Sequence, residues 1–242
     1  MSETMSKQNT RKNSVVFALA LSVVCGLLIT AAATGLRDRQ QRNMALDKRF
    51  NILKAARIME KKEQLPADEI NRLYHRRISE ILVGPAGKIL DTPSPEAMRL
   101  YLFKTGKTVE GYIVPITTRG LWGKIQGYLA FENDGSTIAG FSVFSHSETP
   151  GLGGEIETQR FQENFQGKKI VNSSNEFVSV AIARGKVKNL PQEKKAHYVD
   201  GISGATLTGK YLSRGIKASL EQYEPVSVTF RSKKNRAYSQ EE

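Results

Sequence analysis

The sequence predicts an α+β fold: a single N-terminal transmembrane helix followed by one soluble domain with an antiparallel-rich sheet and flanking helices. Three observations predict it. No charged residue occurs from Asn13 to Leu36. The middle of the chain is rich in β-formers and carries a hairpin turn signal, Asn133-Asp134-Gly135-Ser136. Helical and strand patterns do not alternate regularly, which favours α+β over a doubly wound sheet. Composition agrees: with 39% hydrophobic residues and a mean hydropathy of −0.39, neither global disorder nor a polytopic membrane protein fits.

At ~1.5 Å rise per residue the apolar run can cross a ~30 Å hydrocarbon core with some tilt. Lys7, Arg11 and Lys12 ahead of it and Ala31-Ala32-Ala33 within it resemble a signal peptide. A signal h-region is usually only ~7–15 residues, so an uncleaved anchor is expected. Cys25 is not in a lipobox, because Val24 stands where a small residue is needed. After the anchor, Leu46, Phe50, Leu53, Arg57 and Glu60 mark a helical register beside an apolar stripe of Ile52, Ala56 and Met59. Gln64-Leu65-Pro66 breaks it. A second amphipathic helix, defined by Ile70, Leu73, Tyr74, Ile78 and Ile81, is expected to start near Pro66, and Gly84-Pro85-Ala86-Gly87 ends the helical part.

Strands are expected over 109–116 and 124–131, with 137–144 returning after the hairpin turn and further candidates at 168–171 and 177–183. A helix is expected over 158–165 and a last one over 208–223, followed by a short strand candidate at 226–230. The chain therefore divides into an N-terminal tail (1–12), which the resemblance described below makes cytoplasmic, the span (13–36), a helical membrane-proximal segment (37–83), the soluble domain (84–230) and a basic tail (231–242).

Lys and Arg total 36 against 24 acids, a formal charge of +12. The basic residues are scattered apart from two clusters. Those between 37 and 49 lie against the membrane, where anionic lipid head groups attract them by about 1 kcal/mol each. The tail Arg231-Ser232-Lys233-Lys234-Asn235-Arg236 reads as a solvated or partner-binding end. No zinc-finger, RRM or KH pattern is present, so nucleic acid is not an expected partner. Three basic residues precede the span, whereas Arg37, Arg39, Arg42, Lys48 and Arg49 follow it. A literal positive-inside count puts the domain in the cytoplasm, but large domains translocate despite such charge, so composition leaves the side open. The lone Cys25 excludes an intramolecular disulfide and a cysteine-ligated cluster, and His75, His146 and His197 have no paired spacing, so no metal site is expected.

Two glycine-rich stretches are more than simple turns. One runs His146-Ser147-Glu148-Thr149-Pro150-Gly151-Leu152-Gly153-Gly154-Glu155. Glycine this dense permits positive φ and close approach of a ligand to the backbone, or merely a flexible loop. The other, Asp200-Gly201-Ile202-Ser203-Gly204-Ala205-Thr206-Leu207-Thr208, precedes the last helix and offers it N-caps. A phosphate loop fails here, because Gly204 to Lys210 is followed by Tyr211 where a magnesium-binding Ser or Thr is needed. A hydrolase elbow at Gly201 to Ala205 fails because no histidine follows His197. The third reading is flavin attachment. Ser203-Gly204-Ala205-Thr206, with Asp200 upstream, resembles the target at which a flavin transferase joins FMN through its phosphate to a threonine hydroxyl. A phosphodiester there would be an anion at a helix N-terminus, favoured by ~0.3–1 kcal/mol.

With the N-terminal span, Leu36-Arg37…Ala45-Leu46-Asp47…Asn51-Ile52-Leu53, Pro115-Ile116…Gly120-Leu121-Trp122-Gly123, Gly127-Tyr128-Leu129-Ala130, the Ser145 to Gly154 loop and Ser203 to Thr206, the chain resembles the C-subunit family of sodium-translocating NADH:quinone reductases. The G-type subunit of the Rnf ferredoxin:NAD oxidoreductase is similar in architecture and shares the Glu-Thr-Pro-Gly and Ser-Gly-Ala-Thr elements. The Gly-Leu-Trp block and the Leu-Asp…Asn-Ile-Leu segment look like the quinone-reductase protein. Lys124-Ile125 and the tail beyond Phe230 depart from the pattern.

The resemblance implies a covalent FMN-binding domain on the periplasmic side of the bacterial cytoplasmic (inner) membrane, single-pass, relaying electrons between the cofactors of other subunits. It implies no catalytic residue and no activity alone; the flavin carries the chemistry. By motif match Thr206 is the attachment residue, and Ser203, Gly204 and Ala205 shape its loop. Glu148, Thr149, Leu152 and Gly153 are implied flavin contacts, with the Glu148 carboxylate beside the ring lowering its potential. Trp122 is either near the cofactor or part of the core. Implied partners are the other subunits of the complex, a flavin transferase for maturation, and membrane lipids. A reading from another class is a membrane-anchored sensor or ligand-binding module without redox turnover, which explains neither Ser203 to Thr206 nor the Gly-Leu-Trp block.

Overall fold

The computed structural model describes residues 2–59, 65–232 and 238. Expectations that rest on Glu60, on Gln64 and on the basic tail from Lys233 to Arg236 fall outside them. The chain divides into two compact units, Met1–Ala45 and Leu46–Glu242. The first unit is helical. Its helix, α1 (Ser2–Ala55), continues into the second unit. From Asn13 to Ala45 every side chain is exposed. It is long and apolar enough to cross a membrane, with a mean hydropathy of 2.6 over its most apolar window. The Ser22, Thr30 and Thr34 hydroxyls each donate to the carbonyl four residues back, at 2.7–2.8 Å. These three hydroxyl protons are thereby paired rather than left to face lipid.

The second unit is built on five antiparallel strands that lie in chain order. They are β1 (Ile78–Val83), β2 (Met98–Thr105), β3 (Thr108–Arg119), β4 (Lys124–Glu132) and β5 (Ile138–Ser145). Side chains alternate across the sheet with period two. Leu100, Leu102, Tyr112, Val114, Leu129 and Phe131 enter one core, and Tyr101, Phe103, Ile113, Tyr128 and Ala130 enter the other. The first core is closed by α5 (Thr206–Arg231), through Leu212, Ile216, Leu220, Tyr223, Val226 and Phe230. The second is closed by Ile52, Leu53 and Ala55 of α1 and by Ile70 and Tyr74 of α2 (Ala67–Arg77). Because both faces are covered, the strands read as near-continuous apolar runs. Between β5 and α5 lie the short elements α3 (Gln159–Glu163), β6 (Ala181–Ile182), α4 (Gln192–Lys195) and β7 (Tyr198–Val199), with β6 and β7 paired parallel.

Several sequence expectations are corrected. The second helix stops at Arg77, and Ile78 and Ile81 belong to β1. As strand residues they serve opposite faces, Ile78 one core and Ile81 the other, which a helical face cannot do. The strand β2 fills the gap before 109. The candidates at 168–171 and 177–183 reduce to the bridges Thr137–Lys169 and Val171–Phe177 and the two-residue β6. The strand candidate at 226–230 is instead the end of α5, which runs through Pro225. Proline removes one N–H there, but burial of Val226, Ser227 and Phe230 keeps the helix going.

Candidate functional site

Helix α5 crosses β3 where Gly215 lies against the Thr118 side chain; Thr118 Oγ1 also donates to the Tyr211 carbonyl at 3.2 Å. This crossing sets the start of the helix near the Gly120–Gly123 turn that links β3 to β4. The helix begins without a side-chain cap: Ala205 holds the cap position with φ −124° and ψ 40°. The expected hydroxyl N-cap is therefore absent. The first backbone bond runs from Gly209 N–H to the Ala205 carbonyl at 3.0 Å. Among the described residues the N–H groups of Thr206, Leu207 and Thr208 find no acceptor. The Thr206 side chain, at the first helical position, is exposed.

The loop ahead of it is held by Asp200. One carboxylate oxygen accepts the Val187 N–H at 2.8 Å and the other pairs with Lys186 at 2.9 Å. The Val187 N–H and the lysines at 186 and 168 outweigh burial and hold this carboxyl below the usual range. Gly201 N–H donates to the Gly185 carbonyl at 2.8 Å. Gly204 has φ +74°, and a Cβ there would sit 2.8 Å from Leu152 Cδ2. Only glycine meets both conditions without strain.

Glu148, 4% exposed, joins three segments. Thr208 Oγ1 donates to its Oε2 at 2.5 Å, and the Trp122 N–H donates to its Oε1 at 3.1 Å. Its own N–H donates to His146 Nδ1 at 3.1 Å, and His146 Nε2 lies 3.1 Å from Glu157 Oε2. A Cβ on Gly153 would fall 2.6 Å from Thr208 Oγ1 and 2.7 Å from Glu148 Oε2, so this junction admits no side chain. Glu148 thus fastens the Gly120–Gly123 turn, the 146–154 loop and the first turn of α5 together. Each of its oxygens accepts one protein donor, and Glu148 also lines the depression that these segments form.

These three segments enclose a depression of about 340 Å³, lined by Leu121, Trp122, Glu148, Thr149, Leu152, Gly153 and residues 204–208. Around it Leu121, Trp122, Leu152 and Leu207 are 40, 71, 44 and 49% exposed. A cluster of exposed apolar side chains is a mark of a binding surface. Trp122 is therefore not core. Of the residues singled out from sequence, the structure brings Glu148, Thr149, Leu152, Gly153, Gly204, Ala205 and Thr206 to one depression, while Ser203 is exposed beside them. Leu121, Leu207 and Thr208 line it too, and sequence reasoning does not single them out. The signal for Leu207 is an apolar residue directly after an exposed threonine. A buried hydroxyl facing a glutamate, as at Thr208, leaves no mark in sequence.

The arrangement fits a flat apolar body bearing a phosphate: exposed apolar side chains for the body, three free N–H groups and an accessible hydroxyl for the phosphate.

A family model described as an FMN-binding domain matches residues 120–221, which include every residue of this depression. The chain is 32% identical over 228 residues to the Na(+)-translocating NADH-quinone reductase C subunit of Vibrio anguillarum, covering 84% of this chain and 88% of that protein. It is 30% identical to the same protein of Pseudomonas aeruginosa, covering 85% of this chain and 90% of that one. Among solved structures, the corresponding C subunit of Parabacteroides distasonis superposes with a TM-score of 0.69 at 30% identity, covering 79% of this chain and 96% of that one. The Shewanella oneidensis NqrC shares the fold, with a TM-score of 0.61 at 22% identity over 84% of this chain and all of that one. On these matches, the chain belongs to the C-subunit family of the sodium-translocating NADH-quinone reductases.

Proposed function

We infer that the chain is the electron-carrying flavoprotein subunit of a sodium-translocating NADH:quinone reductase, with FMN joined through its phosphate to Thr206. One observation carries this reading: Thr206 is exposed at the start of a 26-residue helix whose first N–H groups have no acceptor among the described residues, beside a ring of exposed apolar side chains. When bound, FMN supplies the electron transfer, and the chain's residues hold and orient it. The N–H groups of Thr206, Leu207 and Thr208 face the phosphate and favour its charge by ~0.3–1 kcal/mol. Leu121, Trp122, Leu152 and Leu207 cover the apolar ring system, with Thr149 and Gly153 completing the wall. Ser203, Gly204 and Ala205 keep the loop small enough for the hydroxyl to be reached.

Glu148 forms part of this wall. It aligns the Trp122 turn with α5, and its carboxylate, which lines the same depression, is the group proposed to lie beside the flavin ring. The alternatives, an Rnf-type protein and a sensor module, are not favoured by the family assignment. The other subunits of the complex are its partners, with a flavin transferase for maturation and lipids around α1. The soluble unit lies on the outer side of the cytoplasmic membrane in this reading, supported by the resemblance and opposed by the basic residues after the span.

Intact mass and in-gel flavin fluorescence of the chain produced with its own transferase test the attachment. We expect Thr206→Ala to lose all covalent flavin while remaining folded; fluorescence retained by that variant would reject it. A reporter fused after Glu242 tests the topology, and activity confined to the cytoplasm would overturn the outward orientation.

A further inference from the structure

Thr206 and Ala205 are shared with a second, larger hollow of about 510 Å³. Its lining includes the apolar Ile182, Leu190, Tyr198 and Ile202. It also includes Arg184, Lys194, Lys210 and Arg214, and no Asp or Glu. All four cations are exposed, and among the described residues none has a side-chain hydrogen bond or ion pair. Nearby Lys186, by contrast, is held by Asp200. Lys210 and Arg214 stand one turn apart on α5, on the same side of the helix, just beyond its free N–H groups.

Four uncompensated positive charges around a partly apolar hollow complement a ligand that joins an anionic group to a flat body. That is the chemistry of a mononucleotide. An acidic protein surface would meet the charges but would leave the apolar Ile182, Leu190, Tyr198 and Ile202 without a partner. We propose that this basic hollow receives the nucleoside monophosphate half of a flavin dinucleotide while FMN is transferred to Thr206. The proposal rests on the reading of Thr206 as the attachment residue. In that transfer a bond forms between Thr206 Oγ1 and the flavin-side phosphorus, and the pyrophosphate P–O bond breaks. The nucleoside monophosphate leaves with the bridging oxygen, and the hydroxyl proton passes to solvent. No electrons change hands. The entering and leaving oxygens of a phosphoryl transfer lie roughly in line, so the leaving half needs a place of its own away from the hydroxyl. The adjoining hollow supplies one, lined with the charge that a departing phosphate requires.

The test uses the full-length chain in detergent micelles, produced without transferase so that Thr206 is unmodified. Calorimetric titration with AMP is compared with titration by adenosine and by inorganic phosphate. We expect saturable AMP binding at one site that weakens with added salt, and adenosine and phosphate each weaker by about tenfold or more. The exposed double variant Lys210→Ala/Arg214→Ala should weaken AMP by about tenfold or more with an unchanged circular dichroism spectrum. Absence of saturable AMP binding, or equal affinity in the double variant, overturns the proposal. So does a double variant that slows attachment although AMP never binds, because the cations would then be contacting the transferase. If AMP fails to bind while Thr206→Ala still abolishes covalent flavin, this inference falls and the attachment reading stands. If AMP binds but Thr206→Ala retains flavin, attachment lies elsewhere and both fall.

Discussion

Toward its C-terminal end the sheet-facing side of α5 is closed by partners within the chain, whereas its N-terminal end is left open. Near residue 230 the rings of Tyr112 and Phe230 lie 4.4 Å apart and those of Phe230 and Tyr238 lie 5.4 Å apart. The Tyr112 and Ser227 hydroxyls are 2.7 Å apart, the Tyr223 hydroxyl donates to the Arg99 carbonyl at 2.7 Å, and Tyr238 donates to the Gly87 carbonyl at 2.5 Å. At the other end three N–H groups lack acceptors among the described residues, and four large apolar side chains face solvent. Folding gains most where groups find partners within the chain, and ligands are taken where groups have been left without them. One helix does both because its length separates the two demands.

Phe230→Ala should show the largest effect on stability. It removes a ring that is 1% exposed from the centre of the stack, and a loss of about 3–5 kcal/mol is expected by urea unfolding. A loss below about 1 kcal/mol would mean that the closed end is not where α5 is anchored. Thr208→Val comes next. It keeps the shape but leaves buried Glu148 Oε2 without its donor, an expected loss of about 1–3 kcal/mol accompanied by slower flavin attachment. Unchanged stability and unchanged attachment would deny Glu148 its fastening role.

Two aspartates sharpen the comparison by pH. Asp134, in the turn beside the closed end, accepts the Ser136 and Thr137 N–H groups at 2.8 Å and the Thr137 hydroxyl at 2.6 Å. Burial opposes its ionisation, but these bonds and Lys169 outweigh it, so its pKa is lowered, as is that of Asp200 at the open end. Groups depressed in the folded state add stability above the unfolded value of about 3.9, and that stability is lost as pH falls through the folded value. Asp134→Asn and Asp200→Asn should each cost about 1 kcal/mol at neutral pH, with the difference from the parent vanishing in acid. A difference that persists in strong acid, well below the folded pKa values, would place the cost in lost packing. The smallest effect on stability is expected for Trp122→Ala, within about ±0.5 kcal/mol because the ring is exposed. The attached flavin should nevertheless report it, through altered emission and visible circular dichroism. Identical spectra would place the flavin away from Trp122.

The closed end is hard to read from sequence and the open end easier. Pro225 signals a helix stop, yet the apolar side chains of Val226 and Phe230 are buried on the sheet and override one missing hydrogen bond. Ile78 and Ile81 fit a helical spacing because β1 is covered on both faces, which blurs the period-two signature. By contrast, the hairpin of β4 and β5 announces itself through the Asn-Asp-Gly-Ser turn, where Gly135 has φ +65°. The two glycine-rich loops are legible because glycine is required at Gly153 by the close Thr208 and Glu148 side chains and at Gly204 by a φ of +74°. What brings them together is the Glu148 junction, a pairing over 60 residues of chain with no local pattern.

The order of the strands has a consequence for how the chain matures. All five lie side by side in the order in which they are synthesised, so each new hairpin can add to the one before it without waiting for distant sequence. The face of the sheet that carries Tyr112 and Phe131, however, is covered only in part, by residues such as Ile156, Phe161 and Phe165, until α5, the last helix described, arrives. An emerging chain therefore carries a nearly finished sheet with one apolar face still partly bare, a state open to aggregation. The same closing event that covers that face also creates the helix start at which Thr206 is displayed. If Thr206 is the attachment residue as proposed, a transferase that needs the displayed hydroxyl would meet it only on chains that have already finished folding.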